Sequence, residues 1–333
     1  MCGIGGIRRY KGGPIEEYQI RGLLLGLEHR GNDATGIALY GADGIKVLKE
    51  DCPANLLVNR PSYTEFLEDN LDDHTWFAMV HTRAATKGSP RKNVNNHPMW
   101  DEINAVVHNG VIHNDDTLFR ELHAERVAET DSDILRAIVA QDGLTLKAVR
   151  TLNRVSGSVA MCAISEKYPD TVLLARSGSP VVMATYNNGE KLVFASEKHL
   201  IHKAMRPWIY QHGLPFQQQK LDLAYLTMAN DQAYIFGPDG LEHYADFKTA
   251  YQFTQPTYTR VHEFYEERQR RFNTEVNEER MPQERQLCPN PNCRVVFLFK
   301  LADRNTPLNR WYCIKCGANL ATGVINASKI RKK

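Results

Sequence analysis

The chain begins with the stretch MCGIGGI, residues 1–7, which places a thiol directly after the initiator methionine. Cysteine is small enough to allow removal of that methionine, and Cys2 would then carry both a thiol and a free α-amino group. An unperturbed α-amino group has a pKa of about 7.7–8.0, which suits proton transfer near neutral pH. One residue can then supply the nucleophile and its general base without a histidine. The glycines that follow, Gly3, Gly5 and Gly6, predict a strand that packs closely beside a bound substrate.

Three later motifs carry the groups that acyl transfer from a primary amide requires. The reaction needs an oxyanion hole, and an amino-acid substrate also needs a cation for its carboxylate and an anion for its ammonium group. Arg83 can form a two-pronged pair with a carboxylate, and Asp131 can accept an ammonium group. The Asn109 side-chain amide and the Gly110 backbone N–H can donate to an oxyanion. Taken singly, these residue types are more typical of a surface ion pair, a helix cap and a turn.

Residues 2 to about 247 show short β-like runs separated by turn signals, with helical patterns inserted in groups. This order of predicted strands and helices indicates an α+β layered domain. Strands are predicted at Trp76–Val80, Ala105–Val107, Val159–Ile164, Val172–Ala175, Val181–Ala184 and Lys191–Ala195. Helices are predicted at Ile15–Glu28, at Ser132–Ala140 after a capping signal from Thr130 and Asp131, and at Ser196–Ala204. Hairpin turns are predicted at Asn187-Asn188-Gly189 and Pro238-Asp239-Gly240.

Read in order, the motifs of residues 2–247 resemble those of the class II glutamine amidotransferases. Within that class they are most similar to the glutaminase domain of glucosamine-6-phosphate synthase. The resemblance is carried by Cys2-Gly3-Ile4, Glu28-His29-Arg30-Gly31-Asn32-Asp33-Ala34-Thr35-Gly36, His81-Thr82-Arg83, Asn95-Asn96-His97-Pro98, His108-Asn109-Gly110, Glu129-Thr130-Asp131, Ala175-Arg176-Ser177-Gly178-Ser179-Pro180 and Phe194-Ala195-Ser196-Glu197.

The resemblance implies a fold, a reaction and a set of site residues. The fold would be α+β, a four-layer αββα N-terminal-nucleophile sandwich. Cys2 would attack the glutamine amide, release ammonia and leave a γ-glutamyl thioester that water hydrolyses to glutamate, with no cofactor. Arg83 and Asp131 would bind the carboxylate and the amino group of glutamine. Asn109 and Gly110 would form the oxyanion hole.

Two further residues and two departures follow from the same resemblance. Arg30 matches an arginine near the nucleophile and is expected to orient the Cys2 loop, while Thr86 would contact the substrate or belong to a plain loop. The synthase usually has a tryptophan after His-Thr-Arg and a histidine three positions beyond it, where this chain has Ala84 and Lys87. The tryptophan belongs to the loop that closes over glutamine, so its absence puts the usual gating in doubt. Hydrogen-bonding structural roles are expected for the motif histidines, His29, His81, His97 and His108.

Charge and cysteine content restrict the location of the protein. Its 41 basic and 39 acidic residues leave a formal net charge of +2, which gives no global reason to expect a polyanionic partner. No apolar run approaches the roughly 18–20 residues that span a bilayer, and the N-terminus does not resemble a secretory signal. Seven cysteines, an odd number, do not suggest an extracellular disulfide framework. We therefore expect a cytoplasmic protein without a membrane partner.

The predicted domain organisation is a glutaminase domain over residues 2–250, a charged linker or helix over 251–286 and a small module over 287–326. The middle segment is alternately charged and predicts a solvated helix or a linker. The alternative is a docking helix that uses Val261, Phe264, Tyr265 and Phe272. The acceptor domains that accompany class II glutaminases do not fit into residues 248–333. The resemblance therefore implies an acceptor or synthetase partner in trans, or simple release of ammonia.

The last module contains two cysteine pairs, Cys288 with Cys293 and Cys313 with Cys316. Four thiolates at this spacing are suited to tetrahedral zinc, and the module resembles a zinc ribbon whose metal is structural. A redox-active pair is the alternative. Cys52 and Cys162 are expected to be ordinary, with Cys162 in the core.

Three functions remain open from the sequence. The first is a glutaminase that passes ammonia to a partner, with nucleotide or nucleobase modification as one destination. The second is a catalytically weak fold that binds glutamine or acts as a scaffold. The third is nucleic-acid binding through the C-terminal module, whose basic residues are Lys300, Arg304, Arg310, Lys315, Lys329, Arg331, Lys332 and Lys333.

Overall fold

The computed structural model describes residues 1–205, 222–226 and 228–250, together with the backbone of two short strands near the C-terminus. The chain divides into two units, Met1–Gln252 and Phe253–Lys333. Each unit is described by itself.

The first unit contains a seven-stranded antiparallel sheet with the strand order β11-β9-β10-β1-β4-β2-β3. The strand β1 lies at its centre, because it pairs with β10 on one side and with β4 on the other. The bounds are β1 Gly3–Arg9, β2 Ala34–Gly41, β3 Gly44–Glu50, β4 Phe77–Arg83, β9 Val182–Tyr186, β10 Lys191–Ala195 and β11 Leu223–Leu226.

A six-stranded antiparallel sheet, in the order β13-β12-β8-β7-β6-β5, faces the first one. Its longest strands, β6 and β7, pair in unbroken register from Asn104 opposite Ser165 to Ile112 opposite Gly157. The bounds are β5 Met99–Trp100, β6 Asn104–Ile112, β7 Gly157–Ser165, β8 Val172–Ser177, β12 Gln232–Gly237 and β13 Gly240–Asp246.

Helices cover the outer face of each sheet, and apolar side chains fill the space between the layers. The helices α1, α2, α3 and α7 pack with one sheet, and α4, α5 and α6 pack with the other. A third cluster, which includes Ile4, Phe77, Val107 and Cys162, lies between the two sheets. The bounds are α1 Glu17–Leu27, α2 Ala54–Leu57, α3 Pro61–Asn70, α4 Asp115–Glu121, α5 Asp133–Asp142, α6 Leu146–Leu152 and α7 Lys198–Ala204. The predicted αββα sandwich is confirmed.

The predicted strands and helices all correspond to observed elements, with shifted ends. Strand Lys191–Ala195 is confirmed residue for residue, and both predicted hairpin turns join paired strands, β9 with β10 and β12 with β13. Cys162 is fully buried, as predicted.

The sequence patterns missed the β2–β3 hairpin and four helices, α2, α3, α4 and α6. The hairpin turn between Gly41 and Gly44 contains the turn signal Asp43-Gly44, and Gly44 adopts a positive φ of 84°, so this hairpin was recognisable from the sequence. The four helices have 4 to 10 residues, so they show too few turns for a clear period.

In the second unit, the strands β14 (Gln286–Leu287) and β15 (Val296–Phe297) pair antiparallel. The predicted metal ligands Cys288, Cys293, Cys313 and Cys316 lie outside the described residues. The charged segment and its alternative docking helix do so as well. Within the part of the chain that the structure describes, no helix is long and apolar enough to cross a membrane.

Candidate active site

Cys2 lies at the entrance to β1, at the centre of the seven-stranded sheet. Its Sγ accepts a hydrogen bond from the Ala84 backbone N–H at 3.4 Å and lies 3.6 Å from the Ala84 carbonyl oxygen. Desolvation raises the pKa of the Cys2 thiol, while the Ala84 hydrogen bond and the Arg83 charge lower it and the Asp131 charge raises it. The pKa is raised on balance, so the thiol is protonated at neutral pH and needs a base.

The glycines of β1 leave room for protein neighbours. A Cβ at Gly3 would lie 2.7 Å from Thr82 Oγ1 and 2.9 Å from a Leu27 methyl group. A Cβ at Gly6 would lie 2.5 Å from the Phe194 ring. Within the described residues, Gly3 and Gly6 thus make close contacts with neighbouring side chains, and their approach to a bound substrate stays a prediction.

Arg30 contacts the backbone of the nucleophile directly. Its Nε donates to the Cys2 carbonyl oxygen at 2.9 Å, and its Nη1 donates to Glu197 Oε1 at 2.5 Å. The same Glu197 oxygen lies 3.0 Å from His29 Nε2, and the other oxygen lies 3.4 Å from His199 Nδ1. The geometry therefore makes Arg30 a link between Cys2 and the loop that follows β10.

Ser196 holds β1 at Ile4, two residues after the nucleophile. Its Oγ accepts a hydrogen bond from the Ile4 N–H at 3.0 Å, and its own N–H donates to the Ile4 carbonyl at 2.9 Å. The sequence patterns place Ser196 and Glu197 in a matched motif and at the start of a predicted helix, without a role at the nucleophile. Ser196 contacts Ile4 across 192 residues and Glu197 contacts Arg30 across 167 residues, which no local pattern reports.

Arg83 ends β4 and is almost completely buried. Its Nη1 donates to Asn96 Oδ1 at 2.9 Å, and its Nη2 donates to the carbonyls of Lys87 at 2.7 Å and Gly88 at 2.8 Å. Three of the five guanidinium N–H donors are thereby used, so two remain for another partner. Cys2, Asp33 and Asp131 all act on its pKa, which desolvation lowers.

The predicted oxyanion donors lie on β6. The Asn109 side chain is buried, and within the described residues its Nδ2 has no hydrogen-bond partner. Gly110 has a φ of 152°, and a Cβ there would lie 1.9 Å from the Ser158 carbonyl. An unpartnered buried amide is costly to keep, so Asn109 Nδ2 is available to donate to a bound acceptor.

Asp131 is buried close to the end of β6. Its Oδ2 accepts the Ile112 N–H at 2.6 Å, and its Oδ1 accepts the Thr130 hydroxyl at 3.2 Å. The prediction that Thr130 and Asp131 cap the following helix was wrong, because the N-cap residue of α5 is Ser132. The Asp131 carboxylate instead lies within electrostatic reach of Cys2 and Arg83.

Three of the motif histidines are buried, and desolvation lowers the pKa of each, to about 3 for His81. His81 Nε2 donates to the His108 carbonyl at 2.9 Å, and His108 Nδ1 lies 2.8 Å from Ser132 Oγ. His97 stacks on His81 with ring centroids 4.0 Å apart, and within the described residues neither of its ring nitrogens has a partner. The pKa shifts keep these imidazoles neutral near pH 7.

The loop after β4 carries the remaining predicted residue, Thr86, whose side chain is exposed. Within the described residues Thr86 makes no hydrogen bond, so the structure brings it to the loop but not to a specific contact. The neighbouring Ala85 N–H donates to Asp33 Oδ2 at 2.7 Å. Lys87, which stands where the synthase usually has a histidine, forms an ion pair with Asp115 at 2.6 Å.

Across the described ranges no group of histidine, cysteine and acidic side chains could hold a metal ion.

The sequence is similar to those of known glutamine amidotransferases. Residues 81–203 match the family described as a glutamine amidotransferase domain. The glutamine–fructose-6-phosphate aminotransferase (isomerizing) of Escherichia coli K12 is 32% identical over 224 residues, which are 64% of this chain and 34% of that protein. The chain contains a class II glutamine amidotransferase domain. The enzyme of the same name from Thermotoga maritima is 35% identical over 191 residues, 55% of this chain and 30% of its own length.

Solved structures place the amidotransferase domain in the same fold. The glutamine phosphoribosylpyrophosphate amidotransferase of Bacillus subtilis, complexed with ADP and GMP, has a TM-score of 0.53 at 20% identity and covers 74% of this chain and 49% of its own. A structure described as the allosteric regulatory enzyme of purine biosynthesis has a TM-score of 0.55, with the same identity and coverage. The amidotransferase chain spans about a third of the length of the curated relatives it matches (34%).

Proposed function

We propose that the amidotransferase domain hydrolyses the side-chain amide of glutamine to glutamate and ammonia, with Cys2 as the nucleophile. The observation that carries the proposal is the convergence of a half-buried thiol with a buried arginine and a buried aspartate. Ala84, the residue after Arg83, donates its N–H to Cys2 Sγ at 3.4 Å, and the charges of Arg83 and Asp131 act on the thiol with opposite signs. A thiol between a cation and an anion suits an amino acid that carries both charges.

Glutamine binding would use the hydrogen-bond donors of Arg83 and the acceptors of Asp131 that have no partner among the described residues. Arg83 retains two unused N–H donors, one on Nε and one on Nη1, and its positive charge, which can hold an α-carboxylate. Asp131 accepts one hydrogen bond on each oxygen and retains lone pairs for an α-ammonium group. The side-chain amide of glutamine would then extend toward Cys2.

Hydrolysis would proceed in two steps. After removal of Met1, the Cys2 α-amino group takes the thiol proton, and Sγ attacks the amide carbon. The oxyanion accepts hydrogen bonds from Asn109 Nδ2 and the Gly110 N–H, and the protonated α-amine gives its proton to the leaving nitrogen, which departs as ammonia. Water then attacks the thioester, transfers a proton to the α-amine and releases glutamate as the thiol reforms.

The first test is turnover by the purified full chain. We expect glutamate to accumulate from glutamine in preparations whose intact mass shows loss of Met1, and not in preparations that retain it. A chain that binds glutamine calorimetrically but forms no glutamate after Met1 removal would support the alternative, a glutamine-binding or scaffold subunit. The assay is repeated with proteins captured from the native cell, because the acceptor is proposed to act in trans.

An acceptor that takes the ammonia in trans stays a prediction from the sequence. In the E. coli enzyme named above, only 34% of the length corresponds to this chain. Residues 251–333 carry cysteine pairs and alternating charge, and no phosphate-binding glycine loop. Nucleotide or nucleobase modification stays a prediction for the destination of the ammonia. Nucleic-acid binding and cytoplasmic location likewise stay predictions.

We also propose that the C-terminal unit binds one structural zinc ion through Cys288, Cys293, Cys313 and Cys316. The pairing of Leu287 with Val296 favours the proposal, because the first two cysteines lie in the sequence between these strands. Cysteines beside a short hairpin are typical of zinc ribbons.

Metal analysis tests this proposal. We expect about one zinc ion per purified chain, lost in Cys288→Ser and in Cys313→Ser but kept in the control Cys52→Ser. The redox alternative would be established by a different result. The full chain would contain no zinc, and oxidant and reductant would convert one cysteine pair between dithiol and disulfide.

A further inference from the structure

The loop after β4 is held at Lys87 from two directions. The Lys87 carbonyl oxygen accepts a hydrogen bond from Arg83 Nη2 at 2.7 Å. The Lys87 ammonium group lies 2.6 Å from Asp115 Oδ2, at the first residue of α4. One residue therefore connects the guanidinium proposed to bind glutamine with a helix on the facing sheet.

Asp115 is a firm anchor for this contact. Only 4% of its side chain is exposed, and it also pairs with Arg126 Nη2 at 2.8 Å. Hydrogen bonds and charges from Lys87 and Arg126 lower the pKa of Asp115 against the effect of desolvation. Arg126 itself lies over the Phe119 ring at 4.3 Å, which fixes its position. The buried carboxylate is thus ionised and immobile, and the half-exposed Lys87 is the movable partner.

The orientation of Arg83 depends on the same loop. Both Nη2 hydrogens are used by successive loop carbonyls, those of Lys87 and Gly88. Gly88 has a φ of 78°, a conformation that lets the two carbonyls converge on one nitrogen. If the loop moved away from α4, Arg83 would lose two of its three observed partners. Its remaining donors would then no longer be held ready for a carboxylate.

We propose that Lys87 is a positioning residue, which orients Arg83 for glutamine by fastening the loop to Asp115. The proposal rests on the glutaminase function proposed above. Ala84 provides no large side chain to hold the loop over the site, whereas the Lys87–Asp115 ion pair provides a fixed attachment. Loss of the ion pair would weaken glutamine binding and leave the chemistry at Cys2 intact.

The test separates binding from turnover. In Lys87→Met we expect KM for glutamine to rise about threefold to tenfold, since a charged hydrogen bond to a buried carboxylate is lost, while kcat changes by less than about twofold. Lys87→Arg, which keeps the charge and the reach, should restore most of the affinity. Asp115→Asn should raise KM similarly, and the double variant Lys87→Met with Asp115→Asn should be no worse than the single variants.

Asp116→Asn is the matched control. Its side chain is 78% exposed and lies 3.9 Å from Lys87, so KM should stay within about twofold of the wild-type value. Glutamine affinity is also measured by calorimetry in a Cys2→Ala background. An unchanged KM and affinity in Lys87→Met, with active wild-type protein, would overturn the positioning role alone. A wild-type chain that neither binds nor hydrolyses glutamine would overturn the proposed function, and the positioning role with it.

Discussion

Replacing Cys2 by alanine should reduce glutamine hydrolysis by about 10⁴-fold or more, the loss seen when the nucleophile of a covalent mechanism is removed. Among the described thiols, Cys2 accepts the Ala84 N–H and is acted on by the charges of Arg83 and Asp131, whereas Cys52 and Cys162 are buried in apolar clusters. Alanine removes the nucleophile and adds no bulk. Glutamine should therefore still bind the variant, which calorimetry can measure.

The control for this variant is Cys52→Ala. Cys52 is buried and its pKa is raised by desolvation, but its environment contains none of the proposed glutamine ligands. Turnover in Cys52→Ala should match the wild type at temperatures where both are folded. Equal loss of activity in both variants would indicate a folding effect, and full activity in Cys2→Ala would remove Cys2 from the mechanism.

The pH dependence of the wild type follows from the same residue. Desolvation raises the pKa of the thiol, so the thiolate is not preformed at neutral pH. The proposed base, an α-amine with an ordinary pKa of about 7.7–8.0, accepts a proton only after losing its own. The value of kcat/KM should therefore rise with pH through that range and then level off. A rate that falls between about pH 6 and 8 would contradict an amine base.

Replacing Asn109 by alanine should lower kcat by about 10²–10³-fold with a smaller effect on KM, as expected for loss of one oxyanion donor. The physical reason is the unpartnered Nδ2 of this buried amide within the described residues. A donor that forms no hydrogen bond in the absence of substrate adds little to folding. It strengthens its interaction when negative charge develops on the amide oxygen. Steady-state kinetics and thermal unfolding of the same preparation check both parts.

Asn104→Ala provides the matched control, because Asn104 is a buried asparagine on the same strand. Its Nδ2 donates to Asp101 Oδ1 at 3.0 Å, so its loss should reduce the free energy of unfolding by about 1 kcal/mol or more. The value of kcat should remain near that of the wild type. A large loss of stability in Asn109→Ala with unchanged kcat would assign Asn109 to the fold instead of the oxyanion hole.

Much of the layered fold follows from local patterns. The run Lys191–Ala195 is strongly β-like and forms β10 unchanged, and Ile15–Glu28 has the helical period that yields α1. The shorter helices and the hairpin of Ala34–Gly41 with Gly44–Glu50 were not predicted. The shorter helices have few turns, which leaves their structure to tertiary packing, whereas the hairpin carries the turn signal Asp43-Gly44 and was recognisable from the sequence.

The chemical groups of the site were also recognisable one by one. Cys2, Arg83, Asn109, Gly110 and Asp131 were selected by residue type and order, and the structure places them on or beside β1, β4 and β6. The sequence by itself determined which groups are present, because side-chain chemistry does not depend on the fold.

Only the tertiary structure decided how those groups are held. Glu197 reaches Arg30, Ser196 reaches Ile4 and Lys87 reaches Asp115 across separations of 167, 192 and 28 residues. Local patterns report the backbone near each residue, whereas these contacts depend on how sheets and helices pack. The same packing brings the Asp131 charge within electrostatic reach of Cys2 and Arg83 and directs the Ser132 hydroxyl to His108 Nδ1.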